Sequence, residues 1–524
     1  MLSVGLVALL LRLPEHQHIP AFTDERNDIF RALQIARGEA LPLTNDPAYI
    51  GSFWNYVLAA GFWIGGESLL VPRIVVLAVG VLGVLAAYPL GCLWGGRPAG
   101  VLTALFVATS AGHIAFTSRV AWSHSTTPLF VTLGCWALVS ACGRRGRVRA
   151  GHVLLAGLAW GLAFQTHPTV LALLPGLALF VLMRRKPLLG SRWLYLAALL
   201  FVGVNLNLLA YNLGTGFDSI EEGIEQSGEY AEGAPLTWRL YLERAALLLL
   251  GLFQSLGGAV DLDAGPAELL LDPGLWPIAV LAVAGLAWQW RRGNPLPALL
   301  VASVLVMLPL VNGKYNLVPN GRYLAPLLPL LFASVAALLL DVFRMAPHVA
   351  VALSRWAPGP SPALRAGLVA VATFVVVHPL LYLRAYHADV PAVGWTNEPV
   401  FATLALIEAH PDPNVAVILD RSLNVHYAGW GNGTPRDAFE LGLTVSRTPY
   451  RVADVRDDDN TAKLLDRAGR CREQVVVLAQ RDPGQNDEVV RRLGLQPVWW
   501  SVAGGASRVG VYPAYLLPRE PGVC

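Results

Sequence analysis

The chain reads as a polytopic α-helical membrane protein, with about eleven transmembrane helices plus interfacial helices, followed by a soluble C-terminal α/β domain. Three observations predict this. Of the 524 residues, 55% are hydrophobic and only 14% are charged, against about 25% charged in ordinary globular domains. The mean hydropathy is +0.50, carried by Leu-, Val- and Ala-rich runs near the length a bilayer requires. Beyond residue 385 those runs stop, and short apolar segments alternate with turn residues and charges. The net charge of +3 is uninformative because the charges are segregated along the chain. The Arg clusters sit in short loops between apolar runs, so nucleic acid is not an expected partner; the lipid bilayer is.

Met1–Leu13 is short for a bilayer that asks for about 20 residues. No small-residue cleavage site follows it, so an anchor is expected rather than a signal peptide. Residues 14–66 form a first external loop with an amphipathic helix over Asp24–Arg37, ended by Gly38. Phe53–Gly65 is apolar but too short to cross, and its Phe53, Trp54, Tyr56, Phe62 and Trp63 suit an interfacial belt. Further spans are expected at 70–92, 98–113, 126–142, 152–167, 169–183, 193–211, 275–290, 297–311, 323–340 and 366–384. Leu240–Leu256 is expected at the interface because acidic loops flank it.

Positive residues then set the orientation. Arg97, the Arg144–Arg149 cluster, Arg184, Arg185, Lys186, Arg192, Arg291, Arg292, Arg344, Arg355 and Arg365 fall in loops of one side, with a lone Asp341. The opposite loops hold Glu221, Glu222, Glu225, Glu229, Asp261 and Glu268. The expectation is an integral protein of the bacterial plasma membrane with a cytoplasmic N-terminus. Residues 1–385 form the membrane domain and 386–524 an extracytoplasmic domain. In the latter, Asn414–Leu419 and Gln474–Ala479 read as buried strands and Asn486–Leu493 as a helix. Cys92, Cys135 and Cys142 read as small core residues, whereas Cys471 and Cys524 are open to a disulfide in an exported domain.

Polar residues at the outer ends of spans are costly and become functional candidates. Four places qualify. Asp24 and Glu25 follow the first span, where a carboxylate suits proton acceptance but equally suits capping of a helix. Arg119 and His124 lie in an outer turn; His167 ends a span on the same face. The alternative for these is a snorkelling Arg and carbonyl-bonded His. Lys314, Arg322 and Tyr323 form the fourth place, where two cations suit a phosphodiester or simple interfacial anchoring. Divalent metal binding is open, although no His-x3-His or Cys/His spacing demands it.

In this order the pieces resemble the GT-C glycosyltransferases, in the branch that includes protein O-mannosyltransferases and the lipid A aminoarabinose transferase. The resemblance covers roughly residues 1–345. It is carried by Asp24-Glu25, Ala32, Gly38 and Pro42, then the aromatic interfacial helix, Glu67 and Pro72-Arg73. Gly96-Arg97-Pro98-Ala99-Gly100 leads to Ser118-Arg119, and Arg322-Tyr323-Leu324-Ala325-Pro326 closes it. The sequence departs from relatives at Asn45-Asp46-Pro47-Ala48 and at His124. The resemblance implies an inverting glycosyltransferase with a polyprenyl-phosphate sugar as donor and a lipid, glycan or protein as acceptor. It implies Asp24 as the base and Glu25 as its acidic neighbour, with Arg322 and Lys314 holding the lipid phosphate. A transporter or flippase of lipid-linked glycans, or a non-catalytic envelope assembly protein, are the rival readings. No internal repeat of the kind transporters carry is visible.

Overall fold

The computed structural model describes residues 1–14, 23–142, 147–230, 236–258, 275–311, 322–353, 360–392, 398–410, 412, 415–423, 434–455, 474–479, 483–498 and 512–517. Helices run in chain order α1 (Leu2–Arg12), α2 (Thr23–Ala36), α3 (Phe53–Gly65), α4 (Leu70–Gly95), α5 (Arg97–Thr109), α6 (Ala111–Ser118), α7 (Thr127–Ser140) and α8 (Ala150–Thr166). Then come α9 (Leu174–Arg184), α10 (Arg192–Val204), α11 (Leu206–Thr215), α12 (Asp218–Tyr230), α13 (Trp238–Gly257), α14 (Leu275–Arg291), α15 (Leu296–Val311), α16 (Leu328–Leu353) and α17 (Pro360–Ala392). The chain divides into two units. The first holds 1–14, 41–57 and 73–389; the second holds 15–40, 58–72 and 390–524.

Among the described residues, four helices are long and apolar enough to cross a membrane: Leu70–Gly95, Trp238–Gly257, Ala325–Met345 and Pro362–Arg384. The number is six if each of two bent pairs is one span. Two sequence expectations change here. The segment expected at the interface, Leu240–Leu256, lies inside a 20-residue helix that meets the length and composition of a span. Flanking acidic loops do not shorten a helix; Thr237 caps it by accepting from the Leu240 N–H, and left-handed Gly258 ends it. The expected continuous spans 98–113 and 193–211 are also each broken, with bends of 69° and 57°.

Both breaks have local causes. At Ser110 the backbone is extended, and its hydroxyl accepts from the His113 N–H, so α6 starts with a fresh N-cap. A broken helix leaves carbonyls without helical donors. Arg12 of α1 supplies one, its Nη1 donating to Ala108 O at 3.1 Å. At Asn205 the side-chain amide donates to Phe201 O at 2.8 Å and to Gly161 O at 3.3 Å. Small residues elsewhere let helices touch, the dominant packing device inside a membrane. A methyl group on Gly112 would lie 2.6 Å from Ser255 O of α13, and one on Gly176 would lie 2.5 Å from Leu299 O of α15. The lone Asp341 accepts from Arg292 at 2.5 Å, Arg344 at 3.2 Å and Trp288 Nε1 at 3.0 Å.

The second unit carries α18 (Glu398–Glu408), α19 (Pro435–Val445), α20 (Pro483–Leu493) and a five-stranded sheet. Its strands are β1 (Ala416–Asp420), β2 (Tyr450–Ala453), β3 (Gln474–Val477), β4 (Gln496–Pro497) and β5 (Ala514–Leu517), ordered β2-β1-β3-β5-β4. β1 pairs in parallel with β2 and β3, and β5 runs antiparallel to β3 and β4. Both faces are covered. Val417, Leu419, Val475 and Val477 pack with Phe439 and Leu443 of α19, and Ile418 and Val476 pack with Val489 and Leu493 of α20. Near-continuous apolar strands follow from that double burial. The strands and helix expected at 414–419, 474–479 and 486–493 all correspond to elements found here. The helix expected at Asp24–Arg37 is α2, and Gly38 beyond it has φ +72°. The same unit seats α2 against α19: Arg26 is ion-paired with Glu440 and lies 3.7 Å from Asp437. Arg37 Nη2 bonds Glu67 at 2.6 Å and Thr444 O at 2.8 Å, and Arg447 reaches Glu67 at 2.8 Å.

Candidate active site

Proline at 168 denies α8 a further turn, so His167 leaves the helix in extended conformation and begins a 3-10 turn over Pro168–Leu173. The Thr169 N–H donates to His167 Nδ1 at 3.2 Å. A nitrogen that accepts from an amide carries no proton, so the ring is the Nε2–H tautomer and offers a neutral donor there. His124, in the 3-10 turn Ser123–Thr126 before α7, stacks on that ring at 4.1 Å with 13° between planes. His124 is buried, and its Nε2 has no hydrogen-bond partner among the described residues.

Tyr323 closes the cluster, its ring 5.1 Å from His124 and 5.6 Å from His167. Arg322 Nη2 donates to the Tyr323 hydroxyl at 3.0 Å. The Arg322 guanidinium lies 4.7 Å from the Trp122 ring and 4.9 Å from that of Tyr323. Aromatic faces orient a guanidinium without neutralising it. The cluster borders a cavity of about 450 Å³ lined by His167, Thr169 and Tyr323 on its polar edge and by Tyr49, Phe164, Ile220, Ile224, Met307 and Leu308. An imidazole and a phenol lining a mainly apolar cavity, with a guanidinium bonded to that phenol, form an amphipathic receptor, suited to an anionic head on a hydrocarbon tail.

The structure therefore gathers His124, His167, Arg322 and Tyr323 from three separated stretches of sequence. Arg119 stands at the C-terminal end of α6. It is fully buried, its Nη1 donates to the Pro14 carbonyl, and its own carbonyl accepts from Arg73 Nη1. Next to it, Ser118 Oγ accepts from Arg12 Nε at 2.9 Å. Asp24 and Glu25 stand in the first turn of α2, in the second unit; Glu25 is buried, and the side chain of Asp24 lies outside the described residues. Lys314, Cys471 and Cys524 also lie outside them. Among the described residues no three His, Cys, Asp or Glu side chains gather to hold a metal ion.

The sequence-based candidates do not include Trp122 and Tyr49 at the cluster, nor Arg12, which bonds Ser118 and Ala108. Tyr49 meets His167 edge-on at 6.4 Å. Arg12 carried a usable signal, since a charge inside an apolar stretch is costly and needs partners. Trp122 carried none, because aromatics are common at span ends.

The family described as dolichyl-phosphate-mannose-protein mannosyltransferase matches residues 52–210. No curated protein matches the chain. Among solved structures, ArnT from Cupriavidus metallidurans in the apo state has a TM-score of 0.59 at 14% identity, covering 98% of this chain and 97% of that one. The crystal structure of the same protein bound to undecaprenyl phosphate has a TM-score of 0.60 at 14% identity, covering 100% of this chain and 98% of that one. At such identity the likeness speaks to the fold, which is that of a polytopic membrane protein with a C-terminal sheet-bearing unit. Residues 52–210 thus match that mannosyltransferase family, and over its whole length the chain shares the fold of ArnT.

Proposed function

We propose that this protein transfers one sugar from a polyprenyl-phosphate donor to a lipid, glycan or protein acceptor at the outer face of a bacterial plasma membrane. The observation that carries the reading is the aromatic-flanked Arg322, whose guanidinium bonds the hydroxyl of Tyr323, a residue that lines a mainly apolar cavity. A lipid-linked phosphate needs one partner for its charge and another for its chain, and both stand side by side here. The matched mannosyltransferase family over residues 52–210 and the undecaprenyl-phosphate-bound ArnT neighbour support the same donor class.

In this reading the acceptor hydroxyl attacks the anomeric carbon while the bond from that carbon to the phosphate oxygen breaks. Asp24 takes the hydroxyl proton, with Glu25 beside it in sequence. Polyprenyl phosphate leaves as an anion stabilised by Arg322 and Lys314. His167 Nε2–H and the Tyr323 hydroxyl supply neutral donors to the phosphate or the sugar, and His124 holds the His167 ring from behind. One displacement inverts the anomeric configuration and needs no enzyme nucleophile.

The test is sugar transfer in membranes containing the protein, supplied with a panel of labelled polyprenyl-phosphate sugars. Transfer by wild type, reduced about 10²–10⁴-fold in Asp24→Asn and accompanied by a raised donor KM in Arg322→Ala, supports the reading. Chelation in the same assay tests whether a divalent metal takes part. Absence of transfer across the panel, with lipid-linked glycan crossing the bilayer instead, sinks it in favour of a flippase.

A further inference from the structure

In the first unit, α5, α16 and α17 enclose a second groove of about 400 Å³, apolar apart from Thr373. Leu102 of α5, Leu339 and Phe343 of α16, and Leu368, Ala372 and Val376 of α17 line it. It is not sealed: only 17% of the apolar window of α17 is buried, and Val369 beside it is 58% exposed.

One mouth of this groove is basic. α5 begins at Arg97, five residues before Leu102, Arg344 follows Phe343 on α16, and Arg365 lies three residues before Leu368 on α17, so each of the three helices carries an arginine close to its groove residues. The Arg365 guanidinium lies 5.5 Å from the ring of Phe343, which itself lines the groove. Arg344 Nη2 donates to Gly95 O at 2.9 Å, and a methyl group on Gly96 would lie 3.7 Å from it, which sets the start of α5 against Arg344. Arg292 and Arg344 share the single carboxylate of Asp341. Neither Arg97 nor Arg365 has a carboxylate partner among the described residues. Four arginines therefore face one aspartate, and the N-terminus of a 13-residue helix adds its partial positive charge.

We propose that this groove is a binding site for one anionic phospholipid, an acyl chain between α5, α16 and α17 and the phosphate at Arg97 and Arg365. The spare positive charge selects the headgroup, and the open apolar trough selects a chain; a soluble anion meets only the first requirement. Basic pockets between transmembrane helices recognise anionic lipids in this way. The positive-residue pattern places this rim at the cytoplasmic leaflet, where such lipids are supplied. The site is separate from the donor cavity and stands whether or not the transfer reading holds.

The test uses the full chain, purified in mild detergent and stripped of lipid. It is titrated with phosphatidylglycerol and separately with phosphatidylcholine, with bound lipid counted by native mass spectrometry and the thermal midpoint followed. One phosphatidylglycerol, held about tenfold more tightly than phosphatidylcholine, with a saturable rise in midpoint, is expected. Arg97→Ala with Arg365→Ala removes the preference, Arg365→Lys keeps most of it, and Ala372→Trp blocks both lipids. Equal binding of the two lipids to wild type, which requires no variant to fold, overturns the proposal, as does an undiminished preference in the double Arg variant. General snorkelling of arginines into the headgroup layer gives neither a count of one nor saturation.

Discussion

Arg26, two positions beyond Asp24, is ion-paired with Glu440, more than four hundred residues later in the chain. Arg26 is 23% exposed and Glu440 6%, so the pair is largely out of water. Burial pushes the Glu440 carboxyl up and the Arg26 charge pulls it back. The helix that presents Asp24 and Glu25 is thus seated on α19 by charge as well as by packing.

Removing one partner should expose that dependence. Arg26→Ala leaves Glu440 with Arg436 alone, at 3.3 Å, and is expected to cost about 2 kcal/mol of stability. Thermal unfolding in detergent measures the loss. Under the proposed function, kcat falls while the donor KM holds, because the displaced group serves the acceptor's proton and not the lipid phosphate.

Glu67 gives a pH signature. Hydrogen bonds from Arg37 and then Arg447 hold its carboxyl down at about 2, against an ordinary 4.5. A depressed carboxylate adds stability above its unfolded value and loses it as pH falls toward the folded one. The stability gap between wild type and Glu67→Gln is therefore expected to stay level above about pH 5.5, narrow below about 4.5, and close near 2. A gap that widens on acidification would contradict the arrangement.

Tyr323→Phe removes the hydroxyl that accepts from Arg322 but keeps the ring against both histidines. Losing one hydrogen bond to a charged group predicts a rise of about tenfold in donor KM with kcat changed by less than about threefold. Steady-state transfer at varied donor concentration separates the two.

Gly112→Ala probes helix contact. Its methyl group would meet Ser255 O at 2.6 Å, both main-chain atoms being fixed in packed helices, and a loss of about 1–3 kcal/mol is expected. Gly203→Ala, with nothing within 4 Å, is the matched control and should be near neutral. Unfolding midpoints of the two variants decide.

The elements that were legible in the sequence obeyed local rules. Residues around 24–36 were read from amphipathic spacing and a terminal glycine, and the strands near 416 and 474 from β-branched runs between turns. The breaks at Ser110 and Asn205 were not, because the apolar stretch around each still reads as one span despite the single polar residue at the break. Each acts by hydrogen bonding to backbone, a choice made by neighbours such as His113 and Phe201. His124, His167, Arg322 and Tyr323 were all nominated from their positions at span ends. That they form one cluster, and that Arg119 bonds the Pro14 carbonyl, depends on contacts between distant segments and has no trace in spacing.

The seat of α2 has a consequence for synthesis. Residues 23–36 leave the ribosome early, whereas α19 follows about 400 residues later, a delay of roughly 20–80 s at ordinary elongation rates. Throughout that interval Arg26, and Arg37 just past the helix, stand without Glu440 or the Thr444 carbonyl to receive them. Translation thus keeps a timer on assembly: α2 reaches its seat only after residues 435–445 have been made, and a product that stalls before them lacks that seat.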